Sequence, residues 1–114
     1  MKRINALGAV QGDGSVVSTV HDLYQWHKAL LNHTVLSEQS TKQLFTPPVL
    51  PNKEASEYAY GWYVSKSSAY HGGSWPGYQT RLIRNLETGV VGIIGKNIQT
   101  YDWAWLPVFD ATVR

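Results

Sequence analysis

The sequence predicts an α+β fold, an antiparallel sheet with flanking helices. Two segments with helical periodicity come first, a series of strand-like segments follows, and an apolar segment containing Pro107 closes the chain. Two of the strands are joined by Asn85-Leu86-Glu87-Thr88-Gly89, a turn-forming stretch that makes them an antiparallel hairpin.

Residues 1–15 hold Gly8, Gly12 and Gly14 without a periodic apolar pattern and read as a leading loop. Gly12-Asp13-Gly14 is not a dinucleotide fingerprint, because position 17, where a third glycine would stand, is Val. A helix over 19–31 follows. Ser18-Thr19 caps it, and Asp22 lies three residues on, where a carboxylate meets free N–H groups. Val20, Leu23, Tyr24, His27, Leu30 and Leu31 form its apolar face, which is expected in the core. Asn32 and His33 stop this helix, with Asn the residue that tolerates a left-handed conformation. Ser37 caps a second helix over 38–45, ended by Thr46-Pro47-Pro48.

The polar, Pro-interrupted stretch 49–57 reads as a loop. Tyr58, Tyr60, Trp62 and Val64 then alternate with Ala59, Gly61, Tyr63 and Ser65, which predicts a strand with an aromatic face packed in the core. Further strands are expected over 68–73, 78–84 and 90–96, and a terminal helix over 101–113 that Pro107 kinks or delays.

The 114 residues, 43% hydrophobic and 16% charged, amount to one domain at most, residues 1–114. With no cysteine the chain has no disulfide framework, no thiolate-bound zinc and no thiol nucleophile. The net charge is +2 and the basic residues are scattered, so the clustered stripe that nucleic-acid binding needs is missing. The longest apolar runs, 90–95 and 103–109, are far shorter than the roughly 20 residues of a membrane span. Residues 1–14 lack a continuous apolar stretch of signal-peptide length, so no export signal is expected within them.

His21, His27 and His33 are spaced by six, and six residues rotate a helix by about 240°, so they do not converge on one metal ion. His27, on the apolar face, is expected to be a buried structural residue. His71 lies in Tyr70-His71-Gly72-Gly73-Ser74-Trp75-Pro76-Gly77-Tyr78. Glycines weaken a strand, and a common reason to keep them is close approach by a ligand or another backbone. The residues alone leave two readings open: a ligand site with a titratable group beside it, or a glycine-relaxed bend with a surface histidine.

The stretch His71-Gly72-Gly73-Ser74-Trp75-Pro76-Gly77-Tyr78 resembles the third motif of the serine beta-lactamase, penicillin-binding-protein and esterase superfamily, in the class C-like branch where His-x-Gly replaces Lys-Thr-Gly. The run from Gly12 to Trp26, Thr46-Pro47, Tyr58 to Trp62, and Asn85 to Gly89 with its apolar strand and Asn97 are similar to the family's pieces in the family's order. The resemblance covers roughly residues 12–97. It implies that His71 is the polar active-site side chain, that Ser74 gives its backbone N–H to an oxyanion hole, and that Gly72, Gly73 and Trp75 border the substrate. Gly72 stands where the family usually has a hydroxyl, which leans toward ester or peptide-like substrates over those recognised by a carboxylate.

The family's chemistry needs a Ser-x-x-Lys nucleophile. The residues three before Lys28, Lys42, Lys53, Lys66 and Lys96 are Gln25, Gln39, Leu50, Tyr63 and Ile93, and none is Ser. Tyr63-Val64-Ser65 matches the second motif by letter, but on a strand just before the third, where the family does not have it. The resemblance therefore implies the C-terminal part of a serine hydrolase that is inactive alone. Its parent would act on a small-molecule, peptide or cell-wall-like substrate, use no cofactor or metal, and be periplasmic, secreted or membrane-attached. Two other readings stand beside it: an aromatic platform of Tyr58, Tyr60, Trp62 and Trp75 for glycan or peptidoglycan, and a non-catalytic interaction domain that self-associates through an exposed strand edge.

Overall fold

The computed structural model describes residues 12, 14–52, 54–98, 100 and 102–114. Among them the chain forms helices α1 (Val20–Leu31) and α2 (Glu38–Leu44), strands β1 (Tyr63–Ser65), β2 (Ser68–Trp75), β3 (Tyr78–Asn85) and β4 (Val91–Lys96), and helix α3 (Trp105–Ala111). The strands make one antiparallel sheet in the order β1-β2-β3-β4, the α+β architecture that the sequence predicts. No described helix is long and apolar enough to cross a membrane.

Both helix starts follow from their caps. Thr19 Oγ1 accepts from the Asp22 N–H at 3.0 Å, and Ser37 Oγ accepts from the Ser40 N–H at 3.1 Å. At the end of α1 the left-handed residue is His33, with φ +55°, rather than Asn32, whose φ is −91°. The apolar face of α1 is only partly covered. His27 and Leu30 are buried, whereas Val20, Tyr24 and Leu31 are 51%, 44% and 44% exposed. Helical periodicity marks which side chains share a face, but the neighbouring elements decide how much of that face is covered.

The expected strand over 58–65 is reduced to β1. Gly61 takes φ +84° and folds the chain back, so that Tyr58 bridges to Tyr63 instead of continuing in line. Only Trp62 of the expected aromatic core is buried; Tyr58 and Tyr60 are 40% and 56% exposed. In contrast, β2 runs two residues past Gly73, to Trp75, where Pro76-Gly77 closes the β2–β3 hairpin. Proline presets φ at the first turn position and Gly77 takes φ +89° at the second, the combination that a type II turn requires. Helix α3 begins late, at Trp105, with Pro107 in its first turn, where a missing N–H costs nothing.

The β2–β3 register sorts side chains onto two faces. Gln79, Arg81, Ile83 and Asn85 are buried on one. The chain's final segment covers it: Arg81 donates from Nε to Asp110 at 3.0 Å and pairs with the same carboxylate through Nη2, while Asn85 Nδ2 donates to the Val113 carbonyl at 3.3 Å. A Cβ at Gly92 would come within 2.7 Å of Val113 and 3.0 Å of Phe109, so the bare glycine lets this segment seat on β4. On the other face, Leu30 of α1, Trp62 and Ala69 form the core, joined by Phe45, Leu82 and Leu86. Phe45 meets Trp62 edge to face at 5.4 Å.

Asp110→Ala strands a buried guanidinium, and its expected cost is about 3–5 kcal/mol. The double variant Arg81→Met, Asp110→Leu is expected to recover most of that loss, read as denaturation midpoints at constant slope.

Candidate functional site

His71 lies on β2 opposite Leu82, with its side chain exposed. Strand β1 pairs with Ser68, Ala69 and Tyr70 and goes no further, so no strand flanks the outer side of 71–75 among the described residues. The expected site residues therefore occupy one continuous stretch of sheet edge.

The His71 ring is held by aromatic neighbours. Its Nε2 shares a hydrogen bond with the Tyr58 hydroxyl at 3.3 Å, and Tyr63 lies 6.1 Å away between ring centroids. Tyr63 in turn meets Tyr58 edge to face at 4.7 Å and stacks on Tyr70 at 5.5 Å. The Arg81 guanidinium covers Tyr70, 4.1 Å from its ring centroid. A chain of rings thus connects the exposed imidazole to the buried Arg81–Asp110 pair. Tyr58, which the sequence places in a strand core or an aromatic platform, instead contacts His71: it is thirteen positions away, and the Gly61 fold-back brings the two together.

The two glycines have a cross-strand reason as well as the ligand-facing one considered from sequence. Gly73 pairs with Thr80, and a Cβ there would sit 2.7 Å from Thr80 Oγ1. At Gly72 a Cβ would meet the Thr80 carbonyl at 3.3 Å. Ser74 pairs with Gln79, whose buried side chain donates from Nε2 to the Thr100 carbonyl at 2.6 Å. Trp75 is half-buried, and a Cβ at Gly14 would come 3.8 Å from its ring.

The other histidines lie elsewhere and engage separate partners. His21 bonds Gln25, and His33 Nδ1 bonds Thr41 Oγ1 at 3.2 Å. His27 is buried, as expected, and bonds the Gly89 carbonyl through Nε2 at 3.0 Å. A carbonyl only accepts, so Nε2 carries the proton. Burial lowers the His27 pKa, the nearby Arg84 charge lowers it further, and the bond to Gly89 partly opposes both.

The family model for Beta-lactamase matches residues 2–104. The chain belongs to the Beta-lactamase family. A penicillin-binding protein of Bacillus subtilis (strain 168) is 36% identical over 86 residues, which are 71% of this chain and 19% of that protein. A second protein of the same strain, PbpX, is 27% identical over 93 residues, 82% of this chain and 22% of its own length. The chain thus spans about a fifth of the length of these curated relatives. No solved structure matches it. Family membership makes this a serine hydrolase-like protein of the beta-lactamase and penicillin-binding-protein superfamily.

The lowered His27 pKa predicts a stability change with a definite sign. As pH falls below about 6.5 the unfolded imidazole takes up a proton before the folded one does, so stability present above that pH is lost toward the folded-state pKa. In imidazole NMR titrations His27 is expected to protonate below 6.5, and His27→Gln is expected to flatten the acid limb of the melting-temperature profile.

Proposed function

We propose that this chain carries the third active-site motif of a serine hydrolase that transfers the acyl group of an amide, ester or lactam to serine, releasing the amine or alcohol, and then hydrolyses the acyl-serine. The observation that carries this reading is the exposed His71, hydrogen-bonded to Tyr58, on a stretch of β2 with no flanking strand among the described residues. A substrate backbone would add along 71–75 as a further strand, with side chains reaching alternate faces. As the serine oxygen bonds to the acyl carbon, the carbonyl oxygen becomes an oxyanion, and the Ser74 N–H donates to it. Such a donor supplies about 2.7–4 kcal/mol of transition-state stabilisation. His71 hydrogen-bonds the substrate or leaving group, oriented by Tyr58.

The serine that attacks is not part of this sequence, since no Ser stands three residues before any lysine. A preceding portion of a longer protein, one that the roughly fivefold greater length of the relatives leaves room for, would supply it. Gly72 in place of a hydroxyl-bearing residue favours ester and peptide-like substrates, cell-wall peptides among them. The same membership suggests a periplasmic, secreted or membrane-attached parent. Exposure of Tyr58 and Tyr60 also favours a second reading, a stacking surface for glycan, which saturable tryptophan quenching by a soluble glycan would support.

Incubation of the chain with a reactive beta-lactam or a short-chain ester is expected to leave its intact mass unchanged, and a stoichiometric adduct on any serine overturns the inactive reading. A blocked acyl dipeptide is expected to shift the His71 ring and Ser74 amide resonances. Shifts confined to other residues overturn the substrate-edge reading.

A further inference from the structure

Strand β3 buries two arginines on opposite faces, and they are treated unequally. Arg81 has the Asp110 carboxylate. The Arg84 side chain, on a residue 3% exposed, makes no hydrogen bond or ion pair with any described residue, and its Nε and Nη1 are sealed from solvent. Its guanidinium lies over Phe45 at 4.7 Å and is 6.0 Å from the Trp62 centroid. Ring faces compensate a buried cation only in part, and burial lowers the Arg84 pKa.

Arg84 borders a solvent-connected cavity of about 410 Å³ between the end of α1, helix α2 and β3. Leu30, Phe45 and Leu86 give it apolar walls, and Lys42 places a second cation at its rim. Glu38 is the lining carboxylate, yet it forms no ion pair with Arg84 or Lys42. None of the lining residues belongs to 71–75, so this site stands apart from the proposed hydrolase edge.

We propose that this cavity binds a small carboxylate with a short apolar body, its acid group paired with the Arg84 guanidinium. An anion in the cavity supplies an acceptor to Nη2, the guanidinium nitrogen that is not sealed from solvent, in a setting where a charge-assisted bond is strong. The apolar walls receive the rest of the molecule, and a cavity of this size lies within the range of small-molecule sites.

The test titrates the full chain with hexanoate, its neutral counterpart hexanamide, and a blocked peptide bearing one glutamate, followed by the Arg84 Nε–H resonance and the melting temperature. Hexanoate is expected to bind saturably, shift the Arg84 resonance and raise the melting temperature, with hexanamide at least about tenfold weaker. Arg84→Met is expected to abolish the response; should that variant fail to fold, Lys42→Gln on the exposed rim is expected to weaken hexanoate by about two- to threefold. Equal binding of hexanoate and hexanamide overturns the proposal, as does an unmoved Arg84 resonance. Binding of the glutamate peptide without hexanoate also overturns it, in favour of an acid carried by polypeptide.

Discussion

Eight cross-strand pairs, from Ser68 with Asn85 to Trp75 with Tyr78, set the facing of every residue on β2 and β3. The Pro76-Gly77 turn closes this ladder and pins its register. A slip of one residue would move each β3 side chain to the opposite face. Arg81 would then turn away from Asp110, and His71 would no longer lie opposite Leu82. The buried ion pair, the Leu30–Trp62–Ala69 core and the exposed edge are therefore outcomes of one hairpin.

Much of this was legible beforehand where the signal is local. A cap is a contact over three residues and a hairpin a contact across one turn, so Thr19, Ser37 and the strands flanking 85–89 could be placed from residue type. The burial of His27 follows from the apolar face of α1, whereas the exposure of His71 follows from the two glycines after it and from the family resemblance. Alternation misleads where a backbone dihedral overrides it. Gly61 at positive φ turns an apparent eight-residue strand into a fold-back, which removes Tyr58 and Tyr60 from the core and brings Tyr58 to His71. Arg84 is equally hidden in the sequence: it is one of the scattered basic residues, and charged residues usually lie outside. Nothing in its neighbours signals burial without a carboxylate.

The glycine pair shows why family resemblance and local physics are complementary. Resemblance assigns Gly72 and Gly73 to substrate approach, whereas packing shows that Thr80 already occupies the space a Cβ at Gly73 would take. Both constraints select the same residue type, so an altered activity after substitution there would not by itself identify substrate contact. Tyr58 is cleaner in this respect, since it joins His71 through a hydroxyl that phenylalanine lacks.

The Arg81–Asp110 pair has a consequence in time. Its partners are 29 residues apart in sequence. During synthesis at roughly 5–20 residues per second, the arginine is made some 1.5–6 seconds before the aspartate exists. Over that interval a nascent β2–β3 hairpin carries an unneutralised guanidinium on a face with no cover, and an acidic site on a chaperone or on another chain could meet it first. Until Trp105–Ala111 and the residues beside it have been translated, this face of the sheet therefore stays open to mispairing.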